Sequence, residues 1–384
     1  MNPSTSLRSS LGSLPREAWF LFLGAFINKF GGFVVPFLTL YLTGKGYSLG
    51  QAGIAVGAYG VGNLGASVLG GHLADHLGRR PTIVLSMFTG AASMLLLALA
   101  GSYPVILALA CLVGLTGEMY RPASSALLAD LVPQGEHRVT AFSAYRTAFN
   151  AGWAFGPATA GFLAGHGFGW LFVGDAATSI LFGLVAFVAL PRGGHPAPSG
   201  SGVLEMAKIF RQDGRMRRQL AGTLGIGLIF AQYTTTYGLA VTHFGMSPAV
   251  YGFLISVNGA LIVCCELPLT TITRRLPVRA TIATGYLVAS LGFVLNAFAR
   301  SRAGFLACVG LFSLGEMIAM PVSSAYISEL AGAGKRGRYL GLSGLTWSLC
   351  IVLGPNLGLH LFAWHVDAWW FGMAAIGLLA AIIV

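Results

Sequence analysis

The sequence predicts an all-α membrane protein with twelve transmembrane helices in two pseudo-symmetric six-helix bundles. Of its 384 residues, 55% are hydrophobic and 9% are charged, whereas about 25% of the residues in a soluble domain are charged. A membrane-spanning helix needs about 20 apolar residues, and the chain contains twelve apolar runs of about that length. An internal repeat then divides these runs into two sets of six.

The twelve runs are separated by short polar or glycine-containing segments. They lie at residues 17–42, 49–73, 81–100, 104–130, 138–164, 168–190, 216–241, 248–271, 278–299, 303–329, 338–362 and 366–384. The first run is longer than the apolar part of a cleaved signal peptide, and no small-residue cleavage pattern follows it, so we expect a retained helix. The last run ends at Val384, and we expect a natural C-terminal extension beyond it.

The repeat and the longest polar stretch define the domains. Residues 1–16 are a Ser-rich basic tail, 17–190 the N-terminal six-helix bundle, 191–215 a linker rich in Pro, Gly and Ser, and 216–384 the C-terminal bundle. Gly117-Glu118-Met119 recurs as Gly315-Glu316-Met317, and Gly156-Pro157 recurs as Gly354-Pro355. Because each copy contains an even number of helices, both copies run in the same sense, and we expect a symmetry axis along the membrane normal.

The distribution of basic residues predicts the orientation. The formal net charge is +11, and 17 of the 23 Lys and Arg residues lie in the tail, the linker and the loops of one side. The opposite loops carry Lys45, Arg300 and Arg302. The positive-inside rule therefore places the N-terminus and the linker in the cytoplasm. We expect a multi-pass protein of the cytoplasmic (inner) membrane. Its expected partner is the lipid bilayer, and we do not expect it to bind nucleic acid.

A compact motif of glycine and charge joins the second and third runs. It contains Gly71, Asp75, Gly78, Arg79 and Arg80. Gly78 permits a tight turn, and Pro81 suits the first turn of the following helix. We expect Arg79 and Arg80 to lie in water at the lipid headgroups. Asp130 ends the fourth run, so Arg79 can bridge Asp75 and Asp130 and act as part of a cytoplasmic gate.

The fifth run carries a second motif of small residues, Gly152-Trp153-Ala154-Phe155-Gly156-Pro157-Ala158-Thr159-Ala160-Gly161. Small residues let helices approach closely, and a proline loosens one backbone bond. We assign a gating role to Gly152, Gly156, Pro157 and Gly161, and the alternative is ordinary tight helix packing.

Taken with the loop motif Gly-x-x-x-Asp-x-x-Gly-Arg-Arg, these residues identify a resemblance. The whole chain resembles a twelve-helix major facilitator superfamily transporter, and more narrowly the drug:proton antiporter family. The resemblance implies two six-helix bundles that rock to expose a central site alternately to the two sides of the membrane. It also implies a gating latch at Asp75 and Arg79.

Polar groups inside the apolar runs are candidates for chemistry, because an unpaired charge in hydrocarbon is costly. Lys29, its neighbour Asn28, Glu118, Arg121 and Glu316 lie near the middle of their runs. Arg146, Glu266 and Asp175 lie nearer the interfaces. We expect Glu118 to couple protons to transport and Glu316, its counterpart in the repeat, to bind cationic substrate. The alternative for each residue is a structural interhelical ion pair or a snorkelling side chain.

Aromatic and amide side chains are expected to line the pocket, because apolar cations bind aromatic faces and a few polar anchors. The candidates are Phe30, Phe33, Tyr120, Tyr145, Phe149, Asn150, Trp153, Tyr233, Tyr237, Asn258, Tyr326 and Trp347. In membrane helices such residues also serve as packing or as an interfacial belt.

Enzyme chemistry is not indicated by the sequence. It contains no His-Glu-x-x-His, Gly-x-Ser-x-Gly or Walker-type motif, and the five cysteines lie inside apolar runs, which argues against a metal site. Without a nucleotide site, uphill transport needs an ion gradient, so we expect no cofactor and a proton gradient as the energy source.

We therefore expect a proton-coupled exporter of small amphipathic or drug-like compounds that works as a monomer. The alternatives are uptake or facilitated transport of a metabolite by the same fold, and a non-transporting membrane receptor or scaffold.

Overall fold

The computed structural model describes residues 12, 14–132, 136–191, 203–273, 275–330 and 336–384. Within these ranges the chain is helical and has no β-strand. The N-terminal tail up to residue 11 and linker residues 192–202 lie outside the described residues.

The described residues form sixteen α-helices, numbered here in chain order, and one short 3₁₀ helix, Leu295–Ala297, with short turns between them. They are α1 Arg16–Phe30, α2 Val34–Gly44, α3 Leu49–His76, α4 Arg79–Leu99, α5 Tyr103–Glu118, α6 Tyr120–Leu131, α7 Glu136–His166, α8 Gly169–Ala189, α9 Val203–Gln212, α10 Gly214–Tyr233, α11 Thr236–His243, α12 Pro248–Thr273, α13 Val278–Val294, α14 Arg302–Leu330, α15 Arg336–Trp364 and α16 Val366–Ile383.

The membrane-spanning segments agree with the predicted runs. Among the described residues, ten segments are long and apolar enough to cross a membrane, and the pair α10 and α11, bent by 48°, makes an eleventh. The predicted fifth run corresponds to α7, a 31-residue helix that is not in this set. The all-helical membrane fold is confirmed.

Three runs that the sequence predicts as continuous helices are broken in the structure. The first run divides into α1 and α2 at Gly31-Gly32-Phe33, the fourth into α5 and α6 at Met119, and the seventh into α10 and α11 at Thr234-Thr235. Discontinuous helices leave backbone groups to be satisfied inside the membrane, and these groups are a usual basis for binding sites in transporters.

Local sequence explains the break in the fourth run. Pro122 has no N–H, so it cannot donate to the carbonyl of Glu118, four residues earlier. Ser86 of α4 stabilises the resulting discontinuity: its hydroxyl donates to the carbonyl of Thr116 (2.5 Å) and accepts from the N–H of Tyr120 (3.0 Å). The position of Glu118 at the end of α5 is therefore fixed by its neighbours in sequence and by α4.

The described residues belong to two compact units, Met1–Val34 with Val61–Pro198, and Val35–Gly60 with Ser199–Val384. The unit boundaries fall at the break between α1 and α2 and in the middle of α3. These units are defined by contacts, whereas the bundles at 17–190 and 216–384 are defined by the sequence repeat, and the bundle boundaries stay a prediction.

The first unit has a continuous apolar core under its charged residues. Side chains of α1, α4, α6 and α8 meet there, with the rings of Tyr120 and Phe182 in an edge contact at 5.6 Å between centroids. Gly24 gives room to this core, because a Cβ at Gly24 would collide with the Phe182 ring. The core holds α1 against α8 and so positions Lys29 on α1 relative to α8.

The second unit has an aromatic core and one very close helix pair. Phe293 contacts Trp369 and Trp370 with ring centroids 5.2 and 5.0 Å apart. Helices α13 and α14 touch backbone to backbone, since a Cβ at Gly285 would lie 2.7 Å from the carbonyl oxygen of Gly315. This contact fixes α14, the helix that carries Glu316.

Candidate functional site

The first unit contains a nearly buried ion pair between two residues predicted to be functional. Lys29 Nζ lies 3.0 Å from Glu118 Oε1, and the two side chains are 13% and 12% exposed. Each residue comes just before a helix break, since α1 ends at Phe30 and α5 ends at Glu118. The two discontinuous spans therefore meet at this pair.

A second cation and an aromatic ring complete the cluster. Arg121 Nη1 lies 3.4 Å from Glu118 Oε2, and its side chain is 48% exposed. The ring of Phe149 on α7 lies 5.0 Å from Lys29 Nζ and 5.2 Å from Arg121 Cζ, distances at which a ring face attracts a cation. One carboxylate and one ring thus hold two cations, and we call Lys29, Glu118, Arg121 and Phe149 the central cluster.

The glycines of α7 place that ring and the α1 backbone close together. A Cβ at Gly152 would lie 2.6 Å from the carbonyl oxygen of Phe26, and one at Gly156 would lie 2.6 Å from that of Phe30 and 3.0 Å from that of Lys29. The predicted close approach by this motif is present, and its partner is the segment that carries Lys29. The gating role of Gly152, Gly156, Pro157 and Gly161 stays a prediction.

Asp175 contacts the start of α2, across the break between α1 and α2 that Lys29 precedes. Its buried carboxylate accepts from the N–H of Val34, the first residue of α2, at 3.4 Å. The orphan N–H groups at a helix start attract an anion. In this structure Asp175 therefore positions the start of α2.

In the second unit the repeat partner of Glu118 has an amide neighbour. Asn258 Nδ2 on α12 donates to Glu316 Oε2 at 2.9 Å and to Ser313 Oγ at 2.8 Å. The ring of Phe312, on the same helix as Glu316, lies 4.1 Å from that of Tyr233. The amide donor is neutral, so this hydrogen bond orients the carboxylate of Glu316 without adding positive charge beside it.

The remaining predicted residues differ in exposure. Tyr120 and Tyr237 are fully buried and offer no surface to a ligand in this structure; the hydroxyl of Tyr237 donates to Asn296 at 2.9 Å. Phe33, Tyr233 and Glu266 are also buried, and Arg146 is exposed. The partly exposed members are Asn28, Phe30, Tyr145, Asn150, Trp153, Tyr326 and Trp347.

At the end of α3 the two ion pairs expected of Arg79 are formed. Its Nη1 lies 2.6 Å from Asp75 Oδ1, and its Nε lies 3.4 Å from Asp130 Oδ2. The expectation that Arg79 lies in water is wrong: the residue is 6% exposed, because the two carboxylates balance its charge. Arg80 donates to the carbonyl of Phe187, so it also contacts protein. Gly78 makes the turn with φ +97°, and the gating role of the motif, Gly71 included, stays a prediction.

The sequence did not predict the shared ring of the central cluster, or the hydroxyl group of Ser313 that binds the same amide as Glu316. Phe149 was a pocket candidate, but nothing in its spacing shows that Lys29 and Arg121 both contact it. Ser313 lies three residues before Glu316, and this i,i+3 spacing was an available signal. Among the described residues no group of three or more His, Cys, Asp or Glu side chains is arranged to hold a metal ion.

The fold and the central cluster define a class, that of polytopic helical transporters with charged groups at helix breaks inside the membrane. The family model of the Major Facilitator Superfamily matches residues 21–241 and 219–384. The chain belongs to this superfamily of membrane transporters.

Three relatives of similar sequence carry different functional names. The uncharacterized MFS-type transporter YttB of Bacillus subtilis is 27% identical over 90% of this chain and 88% of the relative. The multidrug resistance protein MdtH of Aeromonas hydrophila is 26% identical over 94% and 91%. A Na⁺, Li⁺, K⁺/H⁺ antiporter of Planococcus maritimus is 23% identical over 90% and 89%.

The solved structures agree on the fold. A crystal structure of the peptide transporter POT in complex with sulfate superimposes with a TM-score of 0.80, covering 99% of this chain and 97% of the other at 16% identity. At this identity the likeness shows the fold alone.

Proposed function

We propose that this transporter is a proton-coupled exporter of small amphipathic or drug-like compounds, resident in the cytoplasmic membrane and working as a monomer by alternating access. The observation that carries the proposal is the central cluster, in which the carboxylate of Glu118 is nearly buried between Lys29 and Arg121. The relative named a multidrug resistance protein supports the substrate class.

The chemistry follows from competition at one carboxylate. A buried carboxylate is stable when it is paired with a cation or protonated. A movement that separates Lys29 from Glu118 leaves a carboxylate that takes up a proton, and a movement that restores the pair releases the proton. Since α1 and α5 both end at the cluster, bending at either break changes this separation.

The substrate contact is assigned to the second unit, at Glu316 and at partly exposed aromatic rings. Glu316 is oriented by its hydrogen bond with Asn258, and an oriented carboxylate attracts a cationic drug. Trp347 and Phe230 form an edge contact with centroids 5.6 Å apart, which offers flat apolar surface. Export of cationic amphiphiles is the transport mode that uses both acids of the repeat.

A second candidate is favoured by the relative named as a Na⁺, Li⁺, K⁺/H⁺ antiporter. In that case Glu316 binds an inorganic cation in place of an organic one, and the proton chemistry at Glu118 is unchanged.

The test is accumulation of a fluorescent cationic dye in cells with and without the protein, before and after a protonophore. The proposal predicts lower accumulation in expressing cells and loss of that difference on uncoupling. Higher accumulation in expressing cells would show uptake, and a difference that survives uncoupling would show facilitated transport. Equal accumulation in all arms, with Na⁺-dependent proton release from the same cells, would assign the second candidate.

A further inference from the structure

A basic cavity lies where α9 meets the start of α10, away from the central cluster. It has a volume of about 730 Å³, within the range that holds a small organic ligand. The described residues that line it are Ile209, Gln212, Asp213, Gly214, Arg215, Arg217, Arg218 and Tyr339. Three arginines against one aspartate give the lining a net charge of two positive units.

Among the described lining residues, the acidic group of Asp213 is already engaged. Asp213 Oδ1 accepts from the N–H groups of Arg215 (2.9 Å) and Met216 (3.0 Å), and Tyr339 donates its hydroxyl to Oδ2 at 2.8 Å. Burial acts to raise the pKa of Asp213, but these hydrogen bonds and the charge of Arg215 together hold the pKa below its ordinary value. Asp213 is therefore a helix cap, and the arginines set the charge that a ligand meets.

Two contacts join α9 to the residues around the cavity. Arg217 Nη1 donates to the last turn of α9, at the carbonyl of Arg211, at 2.5 Å. Ile209 packs on the apolar cluster of Met216, Leu220 and Tyr339. These contacts hold α9 against α10, and Arg215 and Arg218 are exposed in the first turns of α10.

The depth of the cavity indicates the ligand. Helix α10 begins a candidate membrane span at Gly214, so we expect the arginines of its first two turns at the headgroup level of the bilayer. On the neighbouring helix, Phe210 is 48% exposed, as expected of an aromatic side chain inserted among lipids. Basic pockets at this depth attract anionic phospholipids, and an arginine fork matches the geometry of a phosphate group.

We propose that this cavity binds the phosphodiester headgroup of an anionic phospholipid from the leaflet on the linker side. Arg215 and Arg218 contact the phosphate, Arg217 holds α9 in place, and Phe210 contacts the acyl region. The site would anchor the junction between the linker and the second unit to the lipid surface.

The test uses the purified full chain in detergent, titrated with phosphatidylglycerol and with phosphatidylcholine, with bound lipids counted by native mass spectrometry. The double variant Arg215→Gln with Arg218→Gln should weaken phosphatidylglycerol binding by roughly 10- to 30-fold and leave phosphatidylcholine binding unchanged. Arg275→Gln with Arg302→Gln, which removes two exposed arginines elsewhere, is the control and should bind as the wild type does. If the double variant unfolds, the single variant Arg218→Gln replaces it, and its affinity for phosphatidylglycerol should fall about fivefold.

A further arm separates the lipid from free phosphate. Glycerol 3-phosphate and inorganic phosphate at millimolar concentration should leave the bound lipid in place, because neither brings acyl chains to the membrane. An equal loss of phosphatidylglycerol binding in the control and in the double variant would show that net charge alone causes the effect, and would overturn the proposal. Displacement of the lipid by either soluble phosphate would overturn it in favour of a soluble anion.

Discussion

Glu118 is held by two cations of very different exposure, and this difference decides what each contributes. Lys29 is 13% exposed and Arg121 is 48% exposed at the side chain. A solvent-exposed ion pair contributes about 0 to 1 kcal/mol. Removing one partner of a buried pair costs about 3 to 5 kcal/mol, because a charge is left without compensation. The ion pair with Lys29 therefore contributes more to stability than the pair with Arg121, and its separation is the larger change for the carboxylate of Glu118.

This difference gives a residue-level prediction. Lys29→Met should lower the free energy of unfolding by about 3 kcal/mol or more, whereas Arg121→Met should lower it by about 1 kcal/mol or less. Denaturant unfolding in detergent, followed by tryptophan fluorescence, measures both. Restoration of stability in the double variant Lys29→Met with Glu118→Gln would show that the loss arises from the pair. Equal losses for Lys29→Met and Arg121→Met would contradict the assignment.

The cap of α10 gives a second prediction. Asp213 accepts two backbone N–H groups at the start of α10, so Asp213→Ala should cost about 1 kcal/mol, whereas Asp213→Asn should keep most of the cap. The pKa of Asp213 is held below its ordinary value. Its extra stabilisation is therefore present above the unfolded-state pKa and is lost as pH falls through the lowered one.

Unfolding measured from neutral pH downward checks this cap. The difference between the wild type and Asp213→Ala should shrink in the acid range. A difference that stays constant to the lowest accessible pH would show that the carboxylate charge of Asp213 plays no part.

At the scale of elements, the contact between α1 and α7 joins the glycine motif to the central cluster. A Cβ at Gly156 would lie 2.6 Å from a backbone oxygen of α1, whereas one at Gly165 on the same helix meets nothing within 4 Å. Backbone atoms cannot move aside as a flexible side chain can. The motif therefore sets the spacing of two helices.

Gly156→Ala should destabilise the protein by about 1 to 3 kcal/mol and reduce transport, since it pushes Lys29 away from Glu118. Gly165→Ala is the matched control on α7 and should leave both properties unchanged. Thermal unfolding and dye efflux measured on the same preparations make the comparison. Wild-type behaviour of Gly156→Ala would show that α1 and α7 separate readily.

The sequence predicts a helix well where the length of an apolar run determines it. It predicts a helix break poorly where a contact with one distant residue determines it. All of the apolar runs correspond to helices of the structure. The breaks at Gly31 and Met119 were not predicted, because a run of apolar residues looks the same whether or not its helix is continuous. Pro122 was a visible signal for the second break, but Ser86, which stabilises it, is a long-range contact.

The same reason explains the error at Arg79. Its place in a short charged loop predicts exposure, whereas the carboxylates of Asp75 and Asp130 allow it to be buried. The pairing was predicted from charge and helix position, but burial depends on how α3, α4 and α6 pack. Glu118 with Arg121 could be placed on one helix face from their spacing, whereas the contact of Lys29 with both Glu118 and Phe149 needed the fold.

For the whole molecule, alternating access needs an equilibrium between states that differ by only a few kcal/mol. The network around Arg79 can bias this equilibrium, because its guanidinium is buried and uses two carboxylates on two other helices. Asp75→Asn removes the shorter ion pair, at 2.6 Å. Asp130→Asn removes the longer one, at 3.4 Å, whose carboxylate is 46% exposed.

Asp75→Asn should therefore leave expression intact and severely reduce transport, and Asp130→Asn should have the smaller effect. Spin labels at the C-terminal end of α3 and the N-terminal end of α15 should report more of the inward-open state in Asp75→Asn. An unchanged distance distribution with normal transport would show that the loop helps to set the membrane topology and does not act as a gate.

The central claim is that Glu118 carries the coupled proton, and the most direct measurement uses proteoliposomes with an imposed pH gradient. Wild-type protein should drive dye against its concentration gradient and move protons in the opposite direction, both monitored by fluorescence. Glu118→Gln keeps the size and polarity of the side chain but cannot carry the proton, so it should abolish uphill movement while downhill dye exchange persists. Uphill transport by Glu118→Gln at the wild-type rate, with failure of Glu266→Gln or Asp175→Asn, would contradict the account and assign coupling to one of those acids.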